Sequence, residues 1–404
     1  MSIWDDFNKL TTLSIVFPDN SAAKAATIYG NGKNQVPVLI KVKATGKSGA
    51  SLDIPQLQLA AAISLINYSS GEKLSRNGES STIPYWDFAD EAGDYASAYS
   101  YSNSQELPTL DDAGTQTLTL YVSAGDIPAA EQTDIAVQID IPGVGAFNTT
   151  AEGTDTKNGP GGASGSVFKS PSYVHVSALM PLDYSDTSLL NLTQTSWDRV
   201  GGQTYIVHDY IWDSAYWTKD NGASLYRSTV RVTPKSSEFK FIHVSHSYNT
   251  VTASNARTGN AIWHHKDDPG ITAVTASGNE ESFVAIGGFG KSLNNPNYDA
   301  YFWYPPYSGR LITTGHFHMI DREWQYRAEI SISADTGIGA NEAALCGYKI
   351  NVPTGDNVGA HYWTDAYGPV SFTVTDNFGN TGTFKIDFFG DQSSYLTVGN
   401  VRLE

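Results

Sequence analysis

The stretch from Val36 to Ala44, VPVLIKVKA, alternates between apolar side chains and the residues that separate them. In an extended strand every second side chain points to the same face, so Val36, Val38, Ile40 and Val42 share one face. A strand with a single apolar face has to be covered by a second layer on that side. The pattern therefore predicts a strand of a β-sandwich.

Similar alternations recur along the chain and are separated by turn residues. Strands are predicted at residues 12–17, 115–123, 134–141, 172–177, 205–212, 229–233, 239–245, 282–286, 311–319, 327–333, 370–375 and 383–389. Residues 56–68 fit either a helix or a strand, and residues 376–380 predict a hairpin loop. Pro37 lacks an amide hydrogen and predicts that the strand at 36–44 begins at a sheet edge. With 37 glycines and 23 tyrosines, the sequence predicts an all-β fold.

The length of 404 residues exceeds the roughly 250–300 residues that one hydrophobic core spans, so we expect two or three domains. Ile3, Trp4, Phe7 and Leu10 have amphipathic-helix spacing near the N-terminus. The predicted parts are an N-terminal arm at 1–24, an immunoglobulin-like antiparallel sandwich at 25–150, a glycine-rich linker or loop at 151–165, and a larger jelly-roll-like β-sandwich at 166–404. The likeness to immunoglobulin domains is one of architecture, because their cysteine pair is missing.

The formal net charge of −17 and the pI near 4.8 give a field that repels phosphate backbones. No run of lysine or arginine offsets it, so nucleic acid is excluded as a partner. A single cysteine, Cys346, excludes an internal disulfide. No apolar run approaches the ~18 residues of a transmembrane helix, and the acidic N-terminus predicts no Sec signal. We therefore expect a cytoplasmic inclusion, a phage-like particle, or release without a signal peptide.

A His-x-His pair lies in one of the predicted strands. His316 and His318 are two residues apart and would point to the same face, where two imidazoles can share a ligand. The plainer interpretation is that both are polar residues on the wet face of a strand, or hydrogen-bonded histidines within a subunit contact. Both interpretations stay open at this point.

With Glu323, the pair His316-x-His318 resembles the first cupin signature, in which two histidines and a glutamate hold a metal inside a small β-barrel. The opening of the second cupin signature is matched by Gly347, Pro353 and Gly355. His361 lies six residues after Gly355, where the cupin pattern has three. The resemblance implies a divalent metal held by His316, His318, Glu323 and His361, and a cupin-like metal-dependent enzyme.

Three clusters combine aromatic residues with turn residues and resemble loop tips. Their aromatic members are Trp212, Tyr216, Trp217, Tyr301, Trp303, Tyr304, Tyr307, Tyr362 and Trp363. Flat aromatic rings beside aspartate stack on sugars, and tyrosine and tryptophan are also enriched at protein interfaces. The alternative is that these side chains fill the core of a large sandwich.

These patterns favour a non-enzymatic protein that assembles with copies of itself or recognises a surface, as particle appendages, filament subunits and inclusion proteins do. The aromatic density and the low charge predict a homo-oligomer. The first alternative is a glycan-binding, lectin-like protein or an insecticidal toxin component. The second alternative is the cupin-like enzyme, and no other cofactor is expected.

Overall fold

The protein is all-β, as the sequence predicts, and consists of several mostly antiparallel sheets. The computed structural model describes residues 2–18, 23–79, 81–102, 113–150, 154–155, 167–168, 171–199, 205–209, 224–247, 275–276, 279–280, 289–290, 297–304, 312–320, 325–333, 338–339, 341–353, 370–389, 392–398 and 401–402. The immunoglobulin-like and jelly-roll-like subtypes stay predictions.

The chain divides into two compact units. The first unit comprises Met1–Leu182 together with Asn377–Asn380, and the second comprises Asp183–Asp376 and Thr381–Glu404. Most of the predicted linker at 151–165 lies outside the described residues, so the linker stays a prediction. The six residues of the strand Val174–Leu179 belong to the first unit.

The first unit contains thirteen strands among the described residues, one α-helix and one short 3₁₀ helix. The strands are β1 Phe7–Val16, β2 Ala25–Tyr29, β3 Gln35–Gly46, β4 Ile63–Asn67, β5 Ser75–Arg76, β6 Trp86–Ala89, β7 Ser100–Tyr101, β8 Gln116–Ala124, β9 Glu131–Ile141, β10 Gly145–Asn148, β11 Thr154–Asp155, β12 Val167–Phe168 and β13 Val174–Leu179. The helix α1 spans Gln56–Ala62, and the 3₁₀ helix spans Ile3–Asp6.

Two sheets form the sandwich of the first unit. One has the order β1-β3-β8-β6-β5, and the other has the order β10-β9-β13-β2-β7, with β4 also paired to β9. Val36, Val38, Ile40 and Val42 are completely buried, which confirms the face predicted for β3. They belong to one apolar cluster with side chains of both sheets, including Val176 of β13. Burial of these alternating residues is what holds the two layers together.

The N-terminal segment does not form the amphipathic helix expected from the sequence. Only Ile3–Asp6 is helical, and it is capped by Ser2, whose hydroxyl accepts a hydrogen bond from the backbone N–H of Trp4. Phe7 and Leu10 belong to strand β1, where register shifts fall between Phe7 and Lys9 and between Leu10 and Thr12. Each bulge adds one residue to the alternation, so a spacing of three also buries one face of a strand. The helical spacing in the sequence is therefore a bulged strand.

Two further local predictions are resolved by the sheet. Residues 56–68 form both candidate structures in succession, α1 followed directly by β4. Strand β3 is central, between β1 and β8, but its pairing with β1 reaches only Leu39. Pro37 is paired on one side only, opposite Tyr121 of β8, which is why its missing amide hydrogen is tolerated.

The second unit contains sixteen strands among the described residues and the 3₁₀ helix Thr187–Leu189. The strands are β14 Leu190–Gln194, β15 Asp198–Arg199, β16 Tyr205–Asp209, β17 Ser224–Pro234, β18 Phe241–Ser247, β19 Thr275–Ala276, β20 Asn279–Glu280, β21 Phe289–Gly290, β22 Asn297–Tyr304, β23 Ile312–Ile320, β24 Gln325–Ser333, β25 Ala343–Pro353, β26 Val370–Asp376, β27 Thr381–Phe389, β28 Gln392–Val398 and β29 Val401–Arg402.

Three larger sheets organise the second unit. Their orders are β14-β17-β25-β22-β21, with β15 also on β17, then β16-β24-β23, and β18-β26-β27-β28-β29. The described core joins the first and third of these sheets, because Val230 and Val232 of β17 share an apolar cluster with Phe372 and Phe384. Strands β26 and β27 pair as an antiparallel hairpin, which confirms the loop predicted at 376–380.

Candidate functional site

The outward face of the six-stranded sheet in the first unit carries a row of polar side chains. Asp134 of β9 lies opposite His175 of β13, and Gln132 lies opposite Ser177. Side chains directly opposite each other in antiparallel strands point to the same face. The backbone N–H of Tyr68, just after β4, donates to the carbonyl of Asp134 over 2.8 Å, so Tyr68 continues the row.

Hydrogen bonds fix the geometry of this row. The Oδ1 atom of Asp134 lies 2.7 Å from Nδ1 of His175, and the Nε2 atom of His175 lies 3.3 Å from Oγ of Ser177. The carboxylate orients a hydrogen onto Nδ1, which leaves Nε2 to accept from the serine hydroxyl. The side chains of His175 and Asp134 are 33% and 35% exposed, so a ligand can reach both.

A pair of tyrosines adjoins the row. The rings of Tyr68 and Tyr173 are tilted by 33° with their centroids 4.4 Å apart, and Tyr173 is 42% exposed. Tyr173 is two residues before His175, and extended side chains at that spacing share a face. We call this surface, made of Tyr68, Asp134, Tyr173, His175 and Ser177, the tyrosine–histidine face.

The chemistry of the face follows from what surrounds Ser177. Asp134, His175 and Ser177 are arranged as in a nucleophile–base–orienting-carboxylate set. However, β13 is paired on both sides, with β2 over His175–Leu179 and with β9 over Val174–Ala178. The backbone amides beside Ser177 therefore serve the sheet ladders and are not directed at a developing oxyanion, as acyl transfer requires. What the face offers is a set of hydrogen-bonding groups beside an aromatic surface.

A second charged feature of the first unit lies beside α1. Arg76 forms two hydrogen bonds to Asp90, from Nε over 3.2 Å and from Nη2 over 2.5 Å, and Nη1 donates to the carbonyl of Ala60. The hydrogen bond from Arg76 lowers the pKa of the Asp90 carboxyl, desolvation opposes this shift, and a hydrogen bond from Asn77 adds to it. The pair borders an open groove of about 840 Å³, in which Leu57 is 86% exposed. The Arg76–Asp90 pair therefore ties α1 to the strands that follow this helix in the chain.

The aromatic residues that the sequence singled out are only partly covered by the structure. Tyr301, Trp303 and Tyr304 lie in strand β22 rather than in a loop tip, and their side chains are outside the described part. The remaining candidates, Trp212, Tyr216, Trp217, Tyr307, Tyr362 and Trp363, lie outside the described residues. Their proposed role as a ligand or interface surface stays a prediction.

The histidine pair is confirmed as part of a strand. His316 and His318 lie in β23, opposite Glu329 and Arg327 of β24. Glu323 and His361 lie outside the described residues, as do the side chains of the pair, so the metal site stays a prediction. Over the part of the chain that the structure describes, no group of three or more His, Cys, Asp or Glu side chains is placed to hold a metal ion.

Sequence reasoning missed the tyrosine–histidine face. The alternation at 172–177 indicates that Tyr173, His175 and Ser177 share a side, and the strand predicted at 134–141 begins with Asp134. The missing step was the register that places β9 beside β13. The signal for this face in the sequence is a histidine and a serine two residues apart in a strand, with a tyrosine before them.

Comparisons of the chain with family models, with curated proteins and with solved structures found no match. In the described residues no helix has the length and apolar character needed to cross a membrane.

Proposed function

We propose that this protein is a non-enzymatic surface-recognition protein whose first unit binds glycans through the tyrosine–histidine face. The observation that carries the proposal is the half-exposed pair Tyr68–Tyr173 beside the hydrogen-bonded row Asp134–His175–Ser177. An aromatic surface beside groups that both donate and accept hydrogen bonds matches a sugar ring, which has an apolar C–H face and an edge of hydroxyls.

The arrangement of the row suits a neutral or hydroxyl-rich glycan. The Oδ1 atom of Asp134 is used by His175, and the second carboxylate oxygen is an acceptor for sugar hydroxyls. Ser177 donates its one hydroxyl hydrogen to His175, so its oxygen is an acceptor for a sugar hydroxyl, and the opposite residue Gln132, which is exposed, adds an amide that both donates and accepts. A flat face of this kind buries only one side of a ligand, so we expect weak binding per site and strong binding only to multivalent displays.

The test is binding of the purified protein to a printed glycan panel, followed by calorimetry with the best free oligosaccharide. Tyr173→Ala should lower the affinity at least about tenfold, because it removes the exposed half of the aromatic pair. Tyr85→Ala is the matched control, since Tyr85 is an exposed tyrosine of the same unit at 39% exposure. His175→Ala should weaken binding by a smaller factor.

Two outcomes would contradict the glycan proposal. One is the absence of any glycan binding by protein that is folded by circular dichroism. The other is an equal loss of affinity in Tyr85→Ala and Tyr173→Ala, which would place binding away from the face.

Self-assembly is the second candidate function, and the exposed apolar side chains of the first unit favour it. Leu57, Tyr85, Tyr173 and Met180 are large and between 39% and 86% exposed. Strand β1 ends its sheet, but its two bulges twist the edge and disfavour strand-to-strand polymerisation. Copies would therefore meet through side chains, as in filament, inclusion or particle subunits.

Sedimentation at micromolar concentration tests the assembly proposal. We expect species larger than a monomer and a shift toward the monomer in Leu57→Ser, with Thr11→Ser on strand β1 as a surface control. A monomer at all concentrations would refute assembly and leave glycan recognition standing.

A further inference from the structure

The Asp134 carboxylate gives the tyrosine–histidine face a negative charge beside its aromatic surface. The Oδ1 atom of Asp134 lies 2.7 Å from Nδ1 of His175, and in the described part of the chain no hydrogen bond reaches Oδ2. We propose that the face selects amino sugars, so that its ligand is a hydroxyl-rich glycan whose rings carry free, protonated amines. Selection of amines presupposes that the face binds glycans, as proposed above, and it narrows the class of ligand.

The hydrogen bonds of the row leave the charge of Asp134 in place. The Nε2 atom of His175 lies 3.3 Å from Oγ of Ser177 and accepts the serine hydrogen, so the imidazole carries its one hydrogen on Nδ1 and is neutral. A neutral histidine does not cancel the carboxylate, and the row keeps one negative charge. A sugar ammonium can therefore donate a charge-assisted hydrogen bond to Oδ2 of Asp134, and such a bond is roughly twice as strong as one between neutral groups.

The charges around the face favour a cation as well. The six strands of this sheet contain no lysine or arginine and three carboxylates, those of Glu131, Asp134 and Asp140. Three further charged residues hydrogen-bond to these strands, namely Lys24, Glu72 and Lys73. Four carboxylates thus surround the face against two lysines, and Lys73 is itself held by Asp140 over 3.0 Å. The local field has the same sign as that of the whole chain, whose net charge is −17, and it attracts cations.

The tyrosine pair supplies the contact that distinguishes an amino sugar from a simple amine. Tyr173 lies against Tyr68 and is 42% exposed. It is diagonal to Asp134 across the pairing of β13 with β9, a spacing of about 7–8 Å between positions. A sugar stacked on Tyr173 can therefore place an amine of its edge at the carboxylate. The positive charge also polarises the adjoining C–H groups, which strengthens their contact with the negative face of the ring.

Calorimetry of the full chain at about 0.1 M salt tests the proposal with three matched probes. The glucosamine trimer has both the sugar rings and the amines, the N-acetylglucosamine trimer has the rings without the charge, and trilysine has amines without rings. We expect the glucosamine trimer to bind about tenfold more tightly than the N-acetylglucosamine trimer, because it adds an exposed ion pair and a cation–aromatic contact. Trilysine should bind at least about tenfold more weakly than the glucosamine trimer, because it has no C–H face to stack on the tyrosine.

Two carboxylate variants assign the preference to Asp134. Asp134→Asn removes the charge but keeps an acceptor for the Nδ1–H of His175, and it should lower the affinity ratio of the two sugar trimers at least about threefold. Asp140→Asn, on the same strand, is the matched control, because both oxygens of Asp140 are already bound, by Lys73 over 3.0 Å and by Gln138 over 3.0 Å. Asp140 lies about 20 Å from Asp134 along β9, roughly two screening lengths at this salt concentration. The affinity ratio in Asp140→Asn should therefore stay within about twofold of the wild type.

Three results overturn the selection of amines and leave the glycan proposal standing. These are equal affinities for the two sugar trimers, trilysine binding as tightly as the glucosamine trimer, or equal affinity ratios in Asp134→Asn and Asp140→Asn. The absence of binding to any glycan, on the printed panel and in calorimetry, refutes the proposed function and the selection of amines together.

Discussion

Replacing Asn380 by alanine is the sharpest test of how the first unit is held together. Asn380 is completely buried, and its Oδ1 accepts hydrogen bonds from Nδ2 of Asn31 over 3.0 Å and from the backbone N–H of Leu182 over 3.2 Å. The Nδ2 atom of Asn31 also donates to the carbonyl of Phe378. One side-chain oxygen thus joins three points of the chain that are far apart in sequence.

The expected loss follows from these contacts. After Asn380→Ala, Asn31 loses its hydrogen bond to Asn380 but retains its bond to the carbonyl of Phe378. The loss at Asn31 is therefore one net hydrogen bond, about 0.5–1.5 kcal/mol. The amide of Leu182 loses an acceptor in a partly buried position, which costs about 1–3 kcal/mol. The variant should therefore lower the free energy of unfolding of the first unit by about 2–4 kcal/mol.

Hydrogen exchange followed by mass spectrometry is the suitable assay, because one melting temperature does not separate two compact units. Peptides covering Leu182 and strand β3 should exchange faster in Asn380→Ala, and peptides of β17 should keep their wild-type rates. Asn8→Ala, at an exposed position of β1, is the matched control and should change neither. Unchanged protection at Leu182 in Asn380→Ala would refute the reasoning.

Three further predictions concern single contacts. The lowered pKa of Asp90 means that its pairing with Arg76 stabilises the fold above the unfolded pKa of about 3.9, and that this stabilisation is lost as the pH falls through the folded pKa. In denaturant unfolding, Asp90→Asn should therefore cost up to about 1 kcal/mol at pH 7. The difference in stability between the variant and the wild type should vanish near pH 2. Tyr184→Phe should destabilise the second unit by about 1–3 kcal/mol, seen as faster exchange in β26, because it removes the donor to the buried Asp376. Gly382→Ala should reduce the soluble yield sharply, because an added Cβ would lie 2.4 Å from the backbone nitrogen of Tyr184, and wild-type yield would show that the backbone adjusts there.

Local patterns in the sequence predicted strands well wherever one face is buried. The face Val36–Val42 and the hairpin between β26 and β27 follow from alternation and turn residues alone, which are properties of neighbouring positions. The spacing of Phe7 and Leu10 misled the prediction because bulges imitate helical periodicity, and only the pairing with β3 reveals them. The limit of the method is therefore reached where register, not local pattern, decides the structure.

The candidate site shows the same limit. Asp134 and His175 are 41 positions apart and meet only because β9 and β13 pair in one register; a shift of one residue would turn His175 toward the core. The composition of the chain predicted binding through tyrosines beside aspartate, and the tyrosine–histidine face has that chemistry at residues the sequence did not single out. Aromatic density drew attention to 301–307 because that cluster is contiguous, whereas Tyr68 and Tyr173 are brought together by the fold.

Strand β13 determines where the first unit can be cut. It inserts between β2 and β9, and it buries Val174, Val176 and Ala178 completely. A fragment ending at residue 150 lacks this strand and leaves β2 and β9 each with an open edge. It also loses about 1.5–3 kcal/mol for each of the two valines, roughly 3–6 kcal/mol together, which approaches the lower end of the 5–15 kcal/mol that is typical for the stability of a domain. A fragment ending at residue 182 retains β13 but lacks the whole segment Asn377–Asn380, so it also loses the bond of Asn31 to Phe378, and its deficit should be at least the 2–4 kcal/mol estimated for Asn380→Ala. We therefore expect the 1–150 fragment to aggregate and the 1–182 fragment to be soluble, with a cooperative but lowered unfolding transition. A cooperative transition in the 1–150 fragment would show that β13 is an accessory strand and that the tyrosine–histidine face is assembled on a sheet already complete without it.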